Sequence, residues 1–580
     1  MKKFIFLCVL PLFSILSLPA QQVGIQGTVS NSQTGEALAY ATLIHIKSGR
    51  GTATNNQGAF VIPYAQAGDS IRVSYIGFEL QWVVVGRQRS LNVKLRPKPT
   101  TLNEVVINSD DNDFLYALIA KARRNANGVE RQAKTYFFLE TFLDNQHTEI
   151  IEAYFNGQYQ GYQVEDLAIK KGRIGIRTVN DKYFISTESS RAFILHNPFQ
   201  STDLYPDNPL VYSKARMKNK YNLELIDIYT DGDARMYVVD CRPKEDSLGL
   251  FRTKLWIDIT HQQLAKTQFT VKATNRHPFY IIGYQKARDV DMDISRTYER
   301  VGQEIRLASV DFTYKLGYKV KGEKMKEAFT RAYLKVYDYE KQFPLPFFEF
   351  SNTQFKDYRN ITVAPYHQEF WDKIDEFRFY DRIEEVNAFM ENHKLQDSFN
   401  DLSIPNKGSQ LPFGYVSWRS DRILMKDPDP EILKRYPPFQ GLDSDRYDFS
   451  VKLYLDASFI HDSLVYQLNT IIDPVGTRYD FIMDDADHAF INMHVDLMEI
   501  EKRKLEQDLR LKKPQTMKEV QALYWERINL YNFRIRRFEN EVLRGRSKYR
   551  MEKWNEIIKK ELEIDNLVYF PIQEYLEGDK

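Results

Sequence analysis

The 580-residue sequence predicts an α+β multidomain protein with an N-terminal β-sandwich, a central curved antiparallel sheet with helices, and a C-terminal long helical hairpin. Three observations predict this class. The length exceeds what one hydrophobic core serves, since a domain takes roughly 150 residues. Phe, Tyr and Trp make up 14% of the chain, and many of them alternate with polar residues, as in half-buried strands. Near the C-terminus this period of two gives way to a long helical pattern.

Residues 1–20 are predicted to be a secretory signal peptide. Lys2 and Lys3 precede an apolar run, and the small Ala20 comes just before polar residues, so we expect cleavage after Ala20. The alternative is an uncleaved anchor, although the run is short for a membrane span. The predicted location of the mature protein is therefore the periplasm or the outer membrane.

The two cysteines predict no disulfide in the mature protein. Cys8 lies inside the apolar run and not at the cleavage point, so we expect no lipid attachment there. Cys241 would then be the single cysteine, and it is predicted to be a small buried side chain at the end of a strand. The 80 basic and 79 acidic residues nearly cancel, which argues against a nucleic-acid partner.

Residues 23–107 are predicted to form a small β-domain, because short alternating segments follow one another with turns between them. In "GTATNNQGAFVI", residues 51–62, the pattern predicts a hairpin. A phosphate loop would need Lys and a hydroxyl after the last glycine, where Ala59 and Phe60 stand instead. A calcium loop would need carboxylates, and "TNNQG" has none.

This region resembles the carboxypeptidase D regulatory-like domain found at the N-terminus of many envelope proteins of Bacteroidota. The matching positions are Gly27, Thr34-Gly35, Gly51-Thr52, Gly58-x-Phe60, the run Ser74-Tyr75-Ile76-Gly77 and Leu102 to Val106. The resemblance implies a transthyretin-like β-sandwich without catalytic residues. Many relatives carry Asp where Asn55 and Asn56 stand, which puts a bound ion or a side-chain cap in this loop in doubt.

Residues 108–365 are predicted to form a helix followed by an antiparallel β-meander. Leu115, Leu118, Ile119 and Ala122 share one helical face, and a series of alternating segments with short turns follows. The layout resembles large curved sheets of the lipoprotein-carrier type. It also resembles a family of unknown function that follows the same N-terminal domain in Bacteroidota. One face of such a sheet holds an apolar, lipid-like ligand or packs on the protein's own helices, and the sequence leaves both open.

Residues 366–483 are predicted to be mixed and rich in loops, with no series of strands that would make a transmembrane barrel. A helix is predicted over "HQEFWDKIDEFRFYDRIEEVNAFMENH", and one strand over "YDFSVKLYLD". Between them, regular structure is predicted to be broken by Pro405, Pro412, Pro428, Pro430, Pro437 and Pro438.

Residues 484–580 are predicted to form a helical hairpin and a tail. The first long helix begins after acidic residues and ends at Lys512 and Lys513, which suits the helix dipole. A capping box at Thr516 and Glu519 opens the second, whose packed face is Tyr524, Ile528, Tyr531, Ile535, Phe538 and Val542. The hairpin either binds an envelope protein partner as an arm or lies across the sheet.

The residues predict no enzyme, cofactor or metal site. His488 and His494 lie on different faces of a helix, so the nearby Asp484, Asp485 and Asp487 are expected to serve its N-terminus and not an ion. The paired carboxylates Glu149 and Glu152 are ordinary for a strand, and no catalytic motif follows a strand.

The predicted function is an exported, non-enzymatic envelope protein that binds a protein or a ligand. One alternative is a hydrolase of an envelope or nutrient polymer that carries the sandwich as an accessory domain. The other is a carrier of a lipid-like ligand in the central domain.

Overall fold

The computed structural model divides into two compact units. The first contains Met1–Lys98 with Glu376–Glu384, and the second contains Pro99–Asp375 with Glu385–Lys580. The structure describes residues 24–88, 90–98, 113–126, 128–179, 182–183, 190–245, 249–279, 286–319, 324–347, 357–362, 364–374, 376–379, 382–395, 401–402, 415–425, 447–473, 477–479, 482–543 and 545–572. The predicted signal peptide, Leu102 to Val106 and the six prolines of the loop-rich region lie outside the described residues.

The first unit is a β-sandwich, as predicted. One sheet has the order β4-β1-β7 and the other β3-β2-β5-β6. The strands are β1 (Ile25–Asn31), β2 (Thr42–His45), β3 (Gly51–Ala53), β4 (Ala59–Ile62), β5 (Ser70–Ser74), β6 (Gln81–Val84) and β7 (Ser90–Leu95). Alternate side chains of both sheets meet in one buried core that includes Val29, Leu43, Phe60, Ile71 and Val73.

The prediction that residues 51–62 form a hairpin is wrong, because β3 and β4 belong to different sheets. The turn between them carries the chain from one sheet to the other. Asn55 Oδ1 accepts the backbone N–H of Gln57 at 2.8 Å and that of Ala59 at 2.9 Å. Asn55 therefore caps this loop with its own side chain. The absence of the Asp that many relatives carry here had put such a cap in doubt. Gly58 has φ +73°, where a side chain would be strained.

A distant segment completes the sandwich. The Phe377 N–H donates to the Gly51 carbonyl at 3.1 Å, and the Thr52 hydroxyl donates to the Arg378 carbonyl at 3.0 Å. A Cβ atom on Gly51 would lie only 2.4 Å from Cζ of the Phe377 ring. This distance is too short for a side chain, so only glycine fits at position 51. Phe377 has φ +51°, and the helix predicted through this position is broken. Its two parts are α5 (Gln368–Lys373) and α6 (Ile383–His393).

The second unit contains a ten-stranded antiparallel sheet with the order β10-β9-β8-β19-β18-β17-β16-β15-β14-β13. Its strands are β8 (Glu130–Leu143), β9 (Gln146–Gln160), β10 (Gln163–Ile176), β13 (Tyr221–Asp231), β14 (Ala234–Pro243), β15 (Arg252–Asp258), β16 (Gln263–Thr274), β17 (Lys286–Val301), β18 (Glu304–Lys319) and β19 (Lys326–Tyr337). Neighbours in sequence pair as hairpins, and β19 closes back on β8, so the predicted meander is confirmed.

One face of this sheet is covered by helices. They are α1 (Asp113–Arg124), α2 (Arg191–Leu195) and α3 (Lys214–Lys220), with a 3-10 turn at Pro209–Val211. Leu115, Ile119 and Ala122 of α1 are fully buried in the same core as alternate residues of the strands, and Cys241 of β14 is buried there as predicted. This face is a packed core.

The other face, at β8 to β10, is covered by residues from the later part of the chain. Phe370 and Trp371 of α5 pack there around the ring of Tyr154 on β9. α4 (Asp357–Thr362) instead lies against β10 on the first face, because its Ile361 is buried in the core that holds α1. Near them β24 (Val451–Ile460) and β25 (Ser463–Ile472) form a hairpin, which β21 (Val416–Ser417) extends to three strands. The sequence had predicted only the first strand of this hairpin.

The C-terminal helices pack on the three-stranded sheet. They are α7 (Asp485–Lys512), α8 (Met517–Val542), α9 (Lys548–Leu562) and α10 (Asn566–Tyr569). α7 contacts β24, β25, α8 and α9, and most of its middle turns are buried. The remaining short strands pair as β11 (Thr178–Val179) with β12 (Lys182–Tyr183), β20 (Asp401–Leu402) with β22 (Leu424–Met425), and β23 (Tyr447–Asp448) with β26 (Arg478–Tyr479).

Candidate functional site

The sheet face under α1, which the sequence left open as a ligand site, is filled by the protein's own side chains. Arg296 of β17 is fully buried there, and its guanidinium donates to the carbonyls of Tyr162 and Phe193, each at 3.1 Å, and to that of His196. These bonds satisfy the C-terminal end of α2 and fix it on the sheet. The arrangement explains how a charged residue occurs in this core without a ligand.

His196 lies in the same core beside aromatic rings. Its ring is 4.8 Å from that of Tyr205 and 5.2 Å from that of Phe269, centroid to centroid. Burial, and secondarily the charge of Arg296, holds the pKa of His196 well below its usual value, so the imidazole is neutral. A neutral histidine among rings packs as an aromatic residue.

A small polar pocket of about 160 Å³ lies where several strands of the large sheet end. Its charged groups pair with one another. Arg131 Nη2 is 2.5 Å from Glu304 Oε1, and Arg306 Nη2 is 3.2 Å from Glu304 Oε2. The Arg306 guanidinium also lies 5.0 Å from the ring centroid of Tyr339. The pocket is polar, and its shape and chemistry differ from those of a lipid site.

A buried charged cluster joins the large sheet to the three-stranded sheet. Lys170 Nζ lies 2.5 Å from Asp456 Oδ1, and Lys171 Nζ lies 3.0 Å from Asp456 Oδ2. Lys171 also donates to the Tyr454 hydroxyl at 2.9 Å and to Gln467 Oε1 at 3.0 Å. Burial raises the pKa of Asp456, but the two ammonium charges outweigh burial and hold it well below its usual value. Burial lowers the pKa of Lys171.

The carboxylates noted in the sequence, Glu149 and Glu152, take separate partners. Glu152 accepts from Arg173 Nε at 2.8 Å and from the Tyr136 hydroxyl at 3.0 Å, while Glu149 accepts from the Thr141 hydroxyl at 3.0 Å. Both carboxylates are buried and bonded within strands of the large sheet. This pattern is that of structural ion pairs and hydrogen bonds.

The acidic residues before α7 cap that helix. Asp484 accepts the backbone N–H of Asp487 at 2.8 Å, and Asp487 accepts that of Asp484 at 3.1 Å, which is a reciprocal capping box. Arg546 pairs with both carboxylates. Burial and the neighbouring Asp484 raise the pKa of Asp487 to about 6. In the described parts of the chain, no group of three or more His, Cys, Asp or Glu side chains is placed to hold a metal ion.

The outer face of α8 is the feature that the sequence analysis missed. The predicted packed face is confirmed. Its buried residues are Tyr524, Tyr531, Ile535, Phe538 and Val542, and Ile528 packs partly against them. Two large aromatic residues lie off that face and in solvent, Trp525 at 49% exposure and Phe533 at 74%. Their spacing of eight residues places them two turns apart on one side of the helix. That off-phase pair was the available signal in the sequence.

Polar side chains surround Phe533. A shallow depression on α8 is lined by Asn529, Asn532, Phe533, Arg536, Arg537, Asn540 and Glu541. Arg537 is held by Glu541 through a bond of 2.8 Å from Nε to Oε1. We define the α8 face as Trp525, Asn529, Asn532, Phe533 and Arg536. Aromatic and arginine side chains within a polar surround are typical of the centre of a protein–protein interface.

Residues 25–107 match the family model described as the CarboxypepD_reg-like domain. This match confirms the predicted domain in the sandwich. No curated protein matches the chain. Among the described helices, none combines the length and the apolar composition that a bilayer span requires.

Three solved structures illustrate what the chain is similar to. One is described as an outer membrane lipoprotein-sorting protein domain from Vibrio parahaemolyticus, with 10% identity and TM-score 0.19, covering 40% of this chain and 94% of that chain. The second is a LolA superfamily protein from Nitrosomonas europaea, with 11% identity and TM-score 0.17, covering 39% and 94%. The third is from the MucA/MucB complex of Pseudomonas aeruginosa, with 9% identity and TM-score 0.14, covering 38% and 93%. TM-scores this low carry no information about ligand or partner.

Proposed function

We propose that this protein is an exported, non-catalytic binding protein of the cell envelope, and that it holds a protein partner on the α8 face. The single observation that carries the proposal is that Trp525 and Phe533 stand in solvent on a helix whose opposite side is packed. The signal-peptide pattern of residues 1–20 supports export to the periplasm or the outer membrane. The sandwich supports an envelope protein of Bacteroidota, through the resemblance of its sequence.

The α8 face has the chemistry of a binding surface. Trp525 and Phe533 lie ~12 Å apart along the helix axis, a distance that one partner helix or strand covers. Burying two aromatic rings supplies most of the free energy of a typical small interface, and the amides of Asn529 and Asn532 can donate or accept hydrogen bonds between them. Arg536 adds a charged group one turn beyond Phe533.

The helix is also rigid enough to present these side chains. Tyr524, the neighbour of Trp525, donates its hydroxyl to the carbonyls of Phe347 and Leu453 at 2.9 and 3.1 Å. Arg527 donates to Asp508 of α7, and Arg534 pairs with the buried Glu501 at 3.1 Å. The inner side of α8 is therefore tied to β24 and α7, so little conformational entropy is lost when a partner binds.

The carrier alternative requires an apolar cavity on the sheet face under α1. Leu115 and Ile119 of α1, together with Phe137 and Phe155 of the strands, pack there in one buried cluster. The hydrolase alternative assigns no role to the exposed aromatic pair on α8. Protein binding accounts for that pair directly, so it is the function that the geometry supports best.

The test is a cross-linked pull-down of the tagged mature chain from an envelope extract of the source cell, followed by mass spectrometry. We expect one envelope protein to be recovered, and the double variant Trp525→Ala, Phe533→Ala to reduce its recovery at least about tenfold. Tyr569→Ala is the matched control, because that aromatic side chain is 53% exposed but lies on α10. Recovery that the double variant leaves unchanged would place the partner elsewhere, and recovery of nothing above background would reject the binding function.

A further inference from the structure

The sandwich carries a second surface that the α8 face does not explain. β6 is an edge strand, since among the described strands it pairs only with β5. Trp82 and Val84 alternate along it at 59% and 65% exposure, and Leu80, one residue before the strand, is 49% exposed. Residues two apart on a strand project from the same face of the sheet, so Trp82 and Val84 form an apolar row in solvent, with Leu80 beside its beginning.

The row continues across the sheet. Trp82 lies opposite Arg72 of β5, which lies opposite Ile44 of β2, and Val84 lies opposite Ser70. The Nε atom of Arg72 is buried and has no hydrogen-bond partner among the described residues. The Arg72 side chain as a whole is half-buried, so it brings a positive charge to the same face as Trp82. We define the β6 face as Ile44, Arg72, Leu80, Trp82 and Val84.

The two edges of this sheet differ. At β3 the Phe377 N–H donates to the Gly51 carbonyl, so another segment of the chain covers that edge. At β6 the open edge coincides with the apolar row. Natural sheets protect their edges with charges, prolines, bulges or covering segments, and an unprotected edge with large apolar side chains is a pairing surface.

The charge of the sandwich indicates what pairs there. Residues 24–98 contain eight Lys and Arg against three Asp and Glu, and Glu376–Glu384 add two against three, a net charge of +4, whereas the whole chain carries +1. Two copies that met edge to edge at β6 would bring two such charges together, which disfavours self-association. An acidic segment is attracted by the same field, and a carboxylate suits the positive charge of the Arg72 guanidinium.

We propose that the β6 edge and face bind an extended acidic segment of another polypeptide, which adds to the sheet as a strand beside β6. Backbone hydrogen bonds from the open edge would hold the segment. Its apolar side chains would pack on Trp82 and Val84, and a carboxylate would meet Arg72. This site is independent of the α8 face and lies in a different unit of the chain.

The test uses the full mature chain and a fluorescein-labelled ten-residue peptide that alternates valine and glutamate. We expect saturable binding by fluorescence anisotropy, weakened at least about tenfold by Trp82→Ala and reduced by added salt. A valine–lysine peptide of the same length should bind far more weakly. Hydrogen exchange at residues 81–84 should slow when the acidic peptide is bound, because an added strand protects the edge amides.

The control variant is Tyr569→Ala, an aromatic residue at 53% exposure in the other unit, which should leave peptide affinity unchanged. The thermal unfolding midpoint of Trp82→Ala should match that of the parent, since its side chain is in solvent. The proposal is overturned if the lysine peptide binds as tightly, if exchange at 81–84 is unaffected, or if no binding appears at ~1 mM peptide. Binding to vesicles with anionic lipid without binding to the acidic peptide would also overturn it, in favour of a membrane surface.

Discussion

The side chain of His494 shows how burial decides the role of a single residue. In the sequence it stands near His488 and three aspartates, as a metal ligand would, yet its ring lies 5.5 Å from that of Phe449 and 6.2 Å from those of Phe490 and Tyr531. Burial lowers the pKa of His494 to about 3, so it is neutral in the folded protein. His488 instead stacks on Phe570, 5.4 Å away.

His494 should make the helical region less stable in acid. Its pKa in the folded state lies below the ordinary value of 6.5, so the unfolded chain binds a proton that the folded chain does not. The contribution is constant above pH ~6.5 and is lost as the pH falls toward 3. Between pH 7 and pH 5 this one group should cost about 2 kcal/mol of unfolding free energy, measured by urea unfolding.

In the variant His494→Leu, the unfolding free energy should no longer fall by this amount between pH 7 and pH 5. The pH dependence that comes from other groups should remain. Leu505→Ala, a buried change on the same helix that leaves the rings around His494 in place, should lower stability at both pH values and leave the pH dependence as it is in the parent. An unchanged pH dependence in His494→Leu would mean that the imidazole does not titrate on unfolding in this range.

At the scale of elements, a bulge in β10 lets two consecutive lysines serve one partner. The pairing of β10 with β9 shifts register between Ile169 and Lys171, so Lys170 is the extra residue. A bulge turns neighbouring side chains to the same side of a strand, which a regular strand forbids. Both ammonium groups thereby reach Asp456 of β24. This ion cluster fixes the large sheet to the three-stranded sheet.

Removing the shared carboxylate should be costly. Asp456→Asn would leave two ammonium groups buried without a negative partner, and we expect a loss of ~3–5 kcal/mol in the unfolding free energy, seen as a lower urea midpoint. Lys171→Met is the matched control, because the pair of Lys170 and Asp456 stays intact and an apolar side chain replaces a buried charge. Equal losses in the two variants would show that the cluster needs both lysines.

At the scale of the whole molecule, the chain builds its first unit from two distant parts. Residues up to Lys98 supply seven strands, and Glu376–Glu384 return from the middle of the sequence to join them. Phe377 fills the space that Gly51 leaves, and Phe379 lies 6.2 Å from the ring of Tyr40. The sandwich is therefore complete only when the later segment is in place.

Phe377→Ala should destabilise the sandwich by ~3–5 kcal/mol, because it removes a buried ring and leaves a cavity beside Gly51. Hydrogen exchange of β2 and β3 should accelerate, while the strands of the large sheet keep their protection. Phe370→Ala, a buried phenylalanine of the second unit, should show the reverse pattern. If Phe377→Ala leaves exchange in β2 and β3 unchanged, the segment is dispensable for the sandwich.

Local patterns predicted much of the fold. Alternation predicted the strands of the sandwich and the large sheet, and the acidic start at Asp484 and the lysines at 512 and 513 bracketed α7 to within two residues. These signals worked because periodicity and end effects depend on neighbours in the chain. The sequence did not predict the α8 face, because Trp525 and Phe533 lie outside the apolar stripe of the helix and do not alter its spacing.

The sequence by itself determined the types of elements, the sandwich, the meander and the long C-terminal helices. Only the tertiary structure decided that β3 and β4 lie in different sheets, that Phe377 completes the sandwich, and that Lys170 and Lys171 meet Asp456. The physical reason is sequence distance. A residue's neighbours in the chain fix its backbone preference, whereas its partner across some three hundred residues is selected by the packing of the whole unit, which no local period encodes.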